Sequence, residues 1–183
     1  EYDSYMPLND CKKLTEIIVG EGNAQYSSKD GVLYDKSMAT LLCCPAGKQG
    51  AITIPESVTA IATYTWRYKR ELGPIYSVKV LGYNALSNCP YLSKISVDSG
   101  NTEFSSLEGV LYNSDRTKLL CCPAGKKGSL VIPEGVRMIG DKGDSVSFYN
   151  CRELTSITIP ESVMIVSAAS FFGCSNLTEI VVD

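Results

Sequence analysis

The cysteines are the residues of this chain best suited to chemistry, because thiolates act as nucleophiles, metal ligands and redox partners. The chain has 8 cysteines and no histidine among its 183 residues. Without imidazole, the Ser-His-Asp and Cys-His nucleophile systems and the His-containing zinc sites are excluded. An enzyme would have to use carboxylates or a thiolate with no histidine base. We therefore predict that the protein is not an enzyme.

Four of the cysteines form two adjacent pairs, Cys43-Cys44 and Cys121-Cys122. These pairs lack the Cys-x-x-Cys spacing of redox motifs, and the sequence shows no cationic neighbour that would lower a thiol pKa. Adjacent side chains in a strand face opposite ways, so we expect one cysteine of each pair to be packed inside and the other to face out. A structural role is favoured over a catalytic one.

Two further motifs invite a ligand-binding interpretation. The Pro-Ala-Gly-Lys segments at 45–48 and 123–126 lack the first Gly and the Ser or Thr of a phosphate loop, so we predict that they are turns. Asp141 and Asp144 fall far short of a calcium-loop register. We predict neither a metal ion nor a cofactor.

Composition limits the class of protein and its partners. The chain is 44% apolar and 20% charged, which is typical of a globular domain, and we predict one domain over residues 1–183. Its 17 basic and 20 acidic residues give a net charge of −3, which offers no electrostatic footprint for nucleic acid. No stretch approaches the roughly 18 consecutive apolar residues of a transmembrane helix.

The chain repeats itself at two lengths. Residues 89–139 overlay residues 11–61 without a gap, and 26 of those 51 positions are identical. A shorter unit of 23 residues runs from Cys151 to Cys174, with apolar residues stepping by two or three positions. This spacing predicts short strands joined by tight turns rather than helices. We assign duplicated units to 11–88 and 89–150, and partial repeats to 151–183.

Each long unit contains a detour from the short repeat, from Val19 to Ile54 and from Val97 to Ile132. Both detours read Gly-Val-Leu-Tyr, a polar turn, and an apolar run that ends in Cys-Cys-Pro. This pattern indicates a β-hairpin. We expect twin hairpins that project from one edge of the stack.

The four single cysteines, Cys11, Cys89, Cys151 and Cys174, each stand three residues before a predicted core Leu. Because each coil contributes one of them, the repeat predicts that they form a column. A zinc site instead requires four sulfur atoms that each lie about 2.3 Å from one metal ion. We predict buried structural thiols. Disulfides stay open as an alternative, because adjacent coils bring Cα atoms within the window of roughly 4.4 to 6.8 Å.

The short unit resembles the BspA-type leucine-rich repeat, Cys-x-x-Leu-x-x-Ile-x-Ile-Pro-x-x-Val-x-x-Ile-Gly-x-x-Ala-Phe-x-x-Cys. The residues that carry the match are Leu154, Ile157, Ile159, Pro160, Val163, Ser170, Phe171 and Cys174. The resemblance covers nearly the whole chain apart from residues 62–77. It implies a β-rich leucine-rich-repeat solenoid, a right-handed coil of short parallel strands, here with two inserted β-hairpins.

Two surfaces are candidates for binding. The first is the insert at 62–77, which breaks the repeat and is rich in the Tyr, Trp and Arg residues that dominate interface hot spots. Its candidate residues are Tyr64, Trp66, Arg67, Tyr68, Arg70 and Tyr76. The insert could instead cover a sheet edge. The second surface is the outward strand face formed by Glu16, Ile18, Lys94, Ser96, Ser156 and Thr158.

The solenoid architecture favours noncovalent binding of a protein or glycan over catalysis, because its extended ladder is a recognition surface. Similarity to BspA-type proteins implies a bacterial surface or secreted protein that adheres to host or microbial partners, with a lipid anchor as one mode of attachment. The alternatives are a spacer array without a specific ligand and a hydrolase that works without histidine.

Overall fold

The computed structural model describes residue 8 and residues 11–66, 81–140 and 146–183, with the backbone alone for 64–66 and 81–84. Regular structure in these residues is entirely β-strand. The strands are β1 Tyr26–Lys29, β2 Val32–Asp35, β3 Thr40–Cys43, β4 Gly50–Ile54, β5 Ala60–Ile61, β6 Thr63–Trp66, β7 Leu81–Asn84, β8 Leu92–Val97, β9 Phe104–Leu107, β10 Val110–Asn113, β11 Lys118–Cys121, β12 Gly128–Val131, β13 Met138–Ile139, β14 Leu154–Ile159, β15 Ile165–Val166 and β16 Glu179–Val182.

Short strands from successive coils pair in parallel along two sides of the stack. On one side β11, β13 and β15 are neighbours, and on the other β12, β14 and β16 are neighbours. The first unit repeats this arrangement with β3 beside β5 and β4 beside β8. A short repeat builds such ladders, because the corresponding strands of successive coils lie side by side and run in the same direction.

The detours form antiparallel meanders of three strands, β1-β2-β3 and β9-β10-β11. The sequence indicated strands β2 and β3 but not β1. Strand β1 begins after Asn23, whose Oδ1 accepts hydrogen bonds from the backbone N–H groups of Gln25 and Tyr26 at 2.9 Å each. The turn to β2 passes through Asp30 and Gly31, whose φ values of 51° and 76° are left-handed. Glycine meets that requirement without strain.

The meanders are part of the core. Val32, Tyr34 and Leu41 are at most 1% exposed and pack in one cluster with Ile54 and Leu92 of the parallel strands. The prediction that these segments project from one edge is therefore wrong. Their alternating apolar residues face the coils, because a small sheet of three short strands has no interior of its own in which to bury them.

Two hydrophobic clusters meet at β10. Leu111 belongs to the first cluster, whereas Val110 and Tyr112 on either side of it belong to the second. Side chains alternate between the faces of a strand, so β10 packs one face on each cluster. The two clusters consequently lie against opposite faces of the same strand, β10.

Candidate functional site

The turn between the first two strands of each meander, Asp30-Gly31 or Glu108-Gly109, is called its tip. Each tip takes a position in the ladder that a strand would otherwise hold. Strand β8 pairs with β4 on one side, and on the other the N–H of Ile95 donates to the carbonyl of Gly109 at 2.9 Å. The N–H of Val97 donates to Ser106 Oγ at 3.1 Å. In the first unit the N–H of Ile17 donates to the carbonyl of Gly31, also at 2.9 Å.

A lysine from the Pro-Ala-Gly-Lys turn holds each tip. Lys126 Nζ donates to the carbonyl of Glu108 at 2.7 Å, and Lys48 Nζ donates to the carbonyl of Asp30. These segments are turns, with the N–H of Lys126 donating to the carbonyl of Pro123 at 3.0 Å. The lysine therefore supports the fold at this point.

The tips divide the strand face that the sequence suggested as a surface. Glu16, Ile18 and Lys94 are exposed, whereas Ser96, Ser156 and Thr158 are half-buried. A Cβ on Gly109 would stand 3.0 Å from Lys94 Cγ, so the tip lies against that side chain. Among the described strands no ladder joins β8 to β12. These six residues therefore lie on separate short faces.

The aromatic insert lies largely outside the described residues. Tyr64 and Trp66 are on β6, which pairs antiparallel with β7 in the register Tyr64 to Tyr83 and Trp66 to Leu81. Arg67, Tyr68, Arg70 and Tyr76 are not among the residues described.

A cleft of about 670 Å³ runs across successive coils, on the side formed by the turns that precede β4, β8, β12 and β14. Five chain segments line it, and consecutive segments are joined by backbone hydrogen bonds. These bonds are Gly47 N–H to Leu14 O at 2.8 Å, Gly50 N–H to Tyr91 O at 3.1 Å, Gly125 N–H to Leu92 O at 2.8 Å and Gly128 N–H to Glu153 O at 2.9 Å. At about 4.8 Å for each step, the cleft extends about 19 Å.

Glycine backbone forms part of the cleft wall. A Cβ on Gly125 would lie 2.9 Å from the carbonyl oxygen of Leu92 and 3.0 Å from that of Pro90, so the segments touch there. At Gly50 and Gly128 a Cβ would meet nothing within 4 Å. The wall thus combines closely packed backbone with open positions.

The side chains that reach the cleft are polar, cationic or aromatic. Lys12, Lys127 and Arg152 bring three positive charges against one negative charge, Glu153, in a chain whose net charge is −3. Tyr91 stands among them, 53% exposed. No hydrogen bond or ion pair holds the ammonium group of Lys12 or Lys127 to another described residue.

The sequence contained a signal for this cleft that went unused. Lys12, Tyr91, Arg152 and Glu153 all stand one or two positions after a repeat cysteine. The framework recurs there while the residue types change from coil to coil, which is typical of a surface that is free to vary.

The cysteines are mostly buried. Cys121 and Cys122 are 1% and 2% exposed, Cys44 is 5% exposed and Cys43 is half-buried, so the prediction that one of each pair faces out is wrong. The second cysteine of each pair follows the strand and donates its N–H to the next coil, at 2.8 Å from Cys122 to the carbonyl of Ser147. Because Cys44 and Cys122 lie beyond the ends of β3 and β11, their side chains need not point to the face opposite that of the preceding cysteine.

The single cysteines differ in burial along their column. Cys89 and Cys151 are buried, Cys174 is half-buried and Cys11 is exposed. Cys89 Sγ lies 3.5 Å from the carbonyl oxygen of Cys44. All eight cysteines are among the described residues, and none is disulfide-bonded.

The packed thiols are held in the neutral form. A hydrogen bond with Cys44, together with burial, raises the pKa of Cys89 far above its ordinary value. A hydrogen bond with Cys122 raises the pKa of Cys151, and burial raises the pKa of Cys43 to about 11. Since the thiolate is the reactive form, these thiols are poor nucleophiles near neutral pH.

Other chemical features are few in the part of the chain that is described. No group of three or more Cys, Asp or Glu side chains there is placed to hold a metal ion. The described residues also include no helix long and apolar enough to cross a membrane. The acidic segment at 141–144 lies outside them.

An apolar surface lies at the last coil. Ile180, Val181 and Val182 on the edge strand β16 are 46%, 40% and 69% exposed. Phe172 is 55% exposed and stacks on Tyr149 with ring centroids 5.8 Å apart.

The BspA type leucine rich repeat region matches residues 46–115 and 126–183, in 6 copies. No curated protein sequence matches the chain significantly.

Two solved structures are similar in fold. A leucine rich cell surface protein from Faecalibacterium prausnitzii is 22% identical, with a TM-score of 0.51 over 95% of this chain and 43% of that one. The pneumococcal vaccine antigen PcpA is 21% identical, with a TM-score of 0.51 over 85% of this chain and 32% of that one. The chain thus spans less than half the length of either protein.

Proposed function

Because this chain belongs to the BspA-type leucine-rich repeat family, as the sequence predicted, we propose that it is a noncovalent binding module of a bacterial surface or secreted protein. The leucine-rich-repeat fold and its strand-rich character are confirmed. We place its partners among proteins and glycans of host or microbial surfaces, and its role is adhesion. Nucleic acid is not among the proposed partners, because the net charge is −3.

The observation that carries this proposal is the cleft across five successive chain segments. A solenoid binds through positions repeated from coil to coil. Three segments of this cleft follow the repeat cysteines Cys11, Cys89 and Cys151, and the other two lie in or just after the Pro-Ala-Gly-Lys turns. Its lining of lysine, arginine, tyrosine and amide side chains supplies groups for recognition. These groups include no nucleophile with an activating base, so binding rather than bond cleavage is the supported activity.

We also propose the finer architecture. The coils wind right-handed, the meanders are hairpin insertions into the repeat, and residues 1–183 form one domain of units 11–88 and 89–150 with partial repeats at 151–183. The first cluster supports one domain, because Leu92, Ile95 and Leu111 of the second unit pack in it with residues of the first unit.

The proposed location is extracellular. One structural neighbour is described as a cell surface protein and another as a vaccine antigen, and this chain shares their fold. The reduced cysteines do not oppose this location, because none needs a disulfide to complete the core.

Adhesion can be tested with the purified chain immobilised on a sensor surface. Extracellular-matrix proteins, mucins, glycans and whole bacteria are passed over it, and saturable binding to at least one of them is expected. Two double variants locate the surface: Trp66→Ala with Arg67→Ala in the aromatic insert, and Tyr91→Ala with Arg152→Gln in the cleft. A folded chain that binds nothing in this panel would favour the spacer array over the adhesion module.

A further inference from the structure

We propose that the cleft binds a linear acidic saccharide, one that carries carboxylate or sulfate groups along its length. This inference rests on the proposed binding function and names the class of ligand for its best-formed surface.

Positive charge is arranged along the cleft rather than at one point. Lys12 lies on the first of the five segments, Lys127 on the fourth and Arg152 on the fifth. The separation of the first and last is about four strand spacings, or about 19 Å. A single small anion cannot contact charges so far apart. A chain with several anionic groups can, and arginine offers a planar donor pair that suits a carboxylate or sulfate.

The remaining lining suits a hydroxyl-rich ligand. Gln49, Asn88 and Asn150 contribute amides, which both donate and accept hydrogen bonds, as sugar hydroxyls do. Tyr91, 53% exposed, offers a flat aromatic face whose negative quadrupole attracts the C–H groups of a sugar ring. An open cleft with one aromatic platform and polar walls can therefore contact both the ring and its substituents.

An acidic peptide fits this cleft less well. A peptide that adds to a sheet needs free backbone N–H groups, but those of Gly47, Gly50, Gly125 and Gly128 already bond to neighbouring segments. A protein hot spot needs a desolvated pocket for a large side chain, and the lining includes no Leu, Ile, Val, Phe or Met.

A single-stranded nucleic acid is also disfavoured. Such ligands stack successive bases on several aromatic side chains, whereas Tyr91 is the one aromatic residue that lines the described cleft. The lining therefore favours a saccharide, which can bind through one aromatic platform, over a nucleic acid, which uses several.

The test measures binding of size-defined chondroitin sulfate and polygalacturonate oligosaccharides to the full chain by isothermal titration calorimetry. A neutral cello-oligosaccharide, poly-glutamate and oligo-dT of similar length serve as comparison ligands. We expect one of the two acidic saccharides to bind at least about tenfold more tightly than any comparison ligand. Raising NaCl from about 50 to about 300 mM is expected to weaken this binding, because the charges are exposed.

Variants assign the binding to the cleft. Tyr91→Ala, and the double variant Lys127→Gln with Arg152→Gln, are each expected to lower the affinity by about tenfold, or ~1.4 kcal/mol. The matched controls lie outside the cleft: Tyr26→Ala, and Lys29→Gln with Arg137→Gln. These controls are expected to keep wild-type affinity, and circular dichroism verifies that every variant is folded.

Three outcomes overturn the inference. They are binding of neither acidic saccharide, equal or tighter binding of a comparison ligand, and equal losses in cleft and control variants. If the chain still captures a matrix protein or whole bacteria while neither saccharide binds, the inference fails and the proposed adhesion function stands. If nothing binds in either experiment, both fail.

Discussion

Gly31 lies directly against Glu16, in a contact so close that a Cβ on the glycine would stand 2.7 Å from the Cβ of Glu16. The same tip accepts the backbone hydrogen bond from Ile17. The meander thus occupies the pairing position beside residues 16–17. In a repeat without the inserted meander, the strand of the next coil would lie there.

Gly31→Ala is accordingly expected to destabilise the protein by about 1–3 kcal/mol, from steric overlap and a left-handed φ of 76°. Urea denaturation followed by circular dichroism measures the change. The control is Gly22→Ala, because a Cβ there meets nothing within 4 Å and the backbone is not left-handed. Equal stability of the two variants would show that the tip does not pack on Glu16.

The sequence predicted the repeat framework but not the way in which the meanders interrupt it. Leu154, Ile157 and Ile159 were expected inside and are buried. For Ile157 and Ile159, a period of two with one buried face fixes the register of the strand. The position of Gly31 over Glu16 depends on the path of the chain between them, which the periodicity of either segment does not determine.

The sequence signal for the cleft is incomplete for a related reason. Lys12 and Arg152 are brought to one surface only by the stacking of the coils. The pattern of a single repeat predicts an exposed turn for both residues but does not determine which residues of other coils lie beside them. The aromatic insert is the stronger signal in the sequence, because Trp66 and its flanking residues depart from the local pattern.

The second prediction concerns Lys126, which donates to the carbonyl of Glu108 at 2.7 Å and so anchors the second tip. Lys126→Met is expected to lower the free energy of unfolding by about 0.5–1.5 kcal/mol, the range for one net hydrogen bond. Hydrogen exchange at the Ile95 amide, which bonds to the tip, should accelerate. Lys127→Met is the matched control, and similar acceleration in it would contradict an anchoring role for Lys126.

The third prediction is a loss of stability at alkaline pH. The pKa of Cys43 is raised from 9.0 to about 11, and those of Cys89 and Cys151 are also raised, by hydrogen bonds with Cys44 and Cys122 and by burial. Above pH 9.0 the unfolded chain releases these protons while the folded chain keeps them. Stability should be fully present below pH 9.0 and fall as the pH rises above it, by about 1.4 kcal/mol per pH unit for each fully buried thiol.

Urea denaturation under reducing conditions at pH 7.5 to 10.5 measures this dependence. The double variant Cys89→Ala with Cys151→Ala should be less stable at neutral pH, because two packed sulfurs are lost, but should show a shallower decline above pH 9.0. Cys11→Ala is the control, since that thiol is exposed. An unchanged slope in the double variant would exclude Cys89 and Cys151 as a cause of the decline.

The fourth prediction tests whether the two cores unfold together. Leu111 lies in the second duplicated unit but packs in the first cluster, with Val32 and Ile52. Leu111→Ala should cost about 2–5 kcal/mol and should speed hydrogen exchange in the first unit as well as near residue 111. Leu130→Ala, buried in the second cluster, is the matched control and should affect the second unit first. Because repeat stability depends on interfaces between neighbours, both variants should still unfold in one transition. Faster exchange confined to the second unit in Leu111→Ala would show that the two cores are energetically separate.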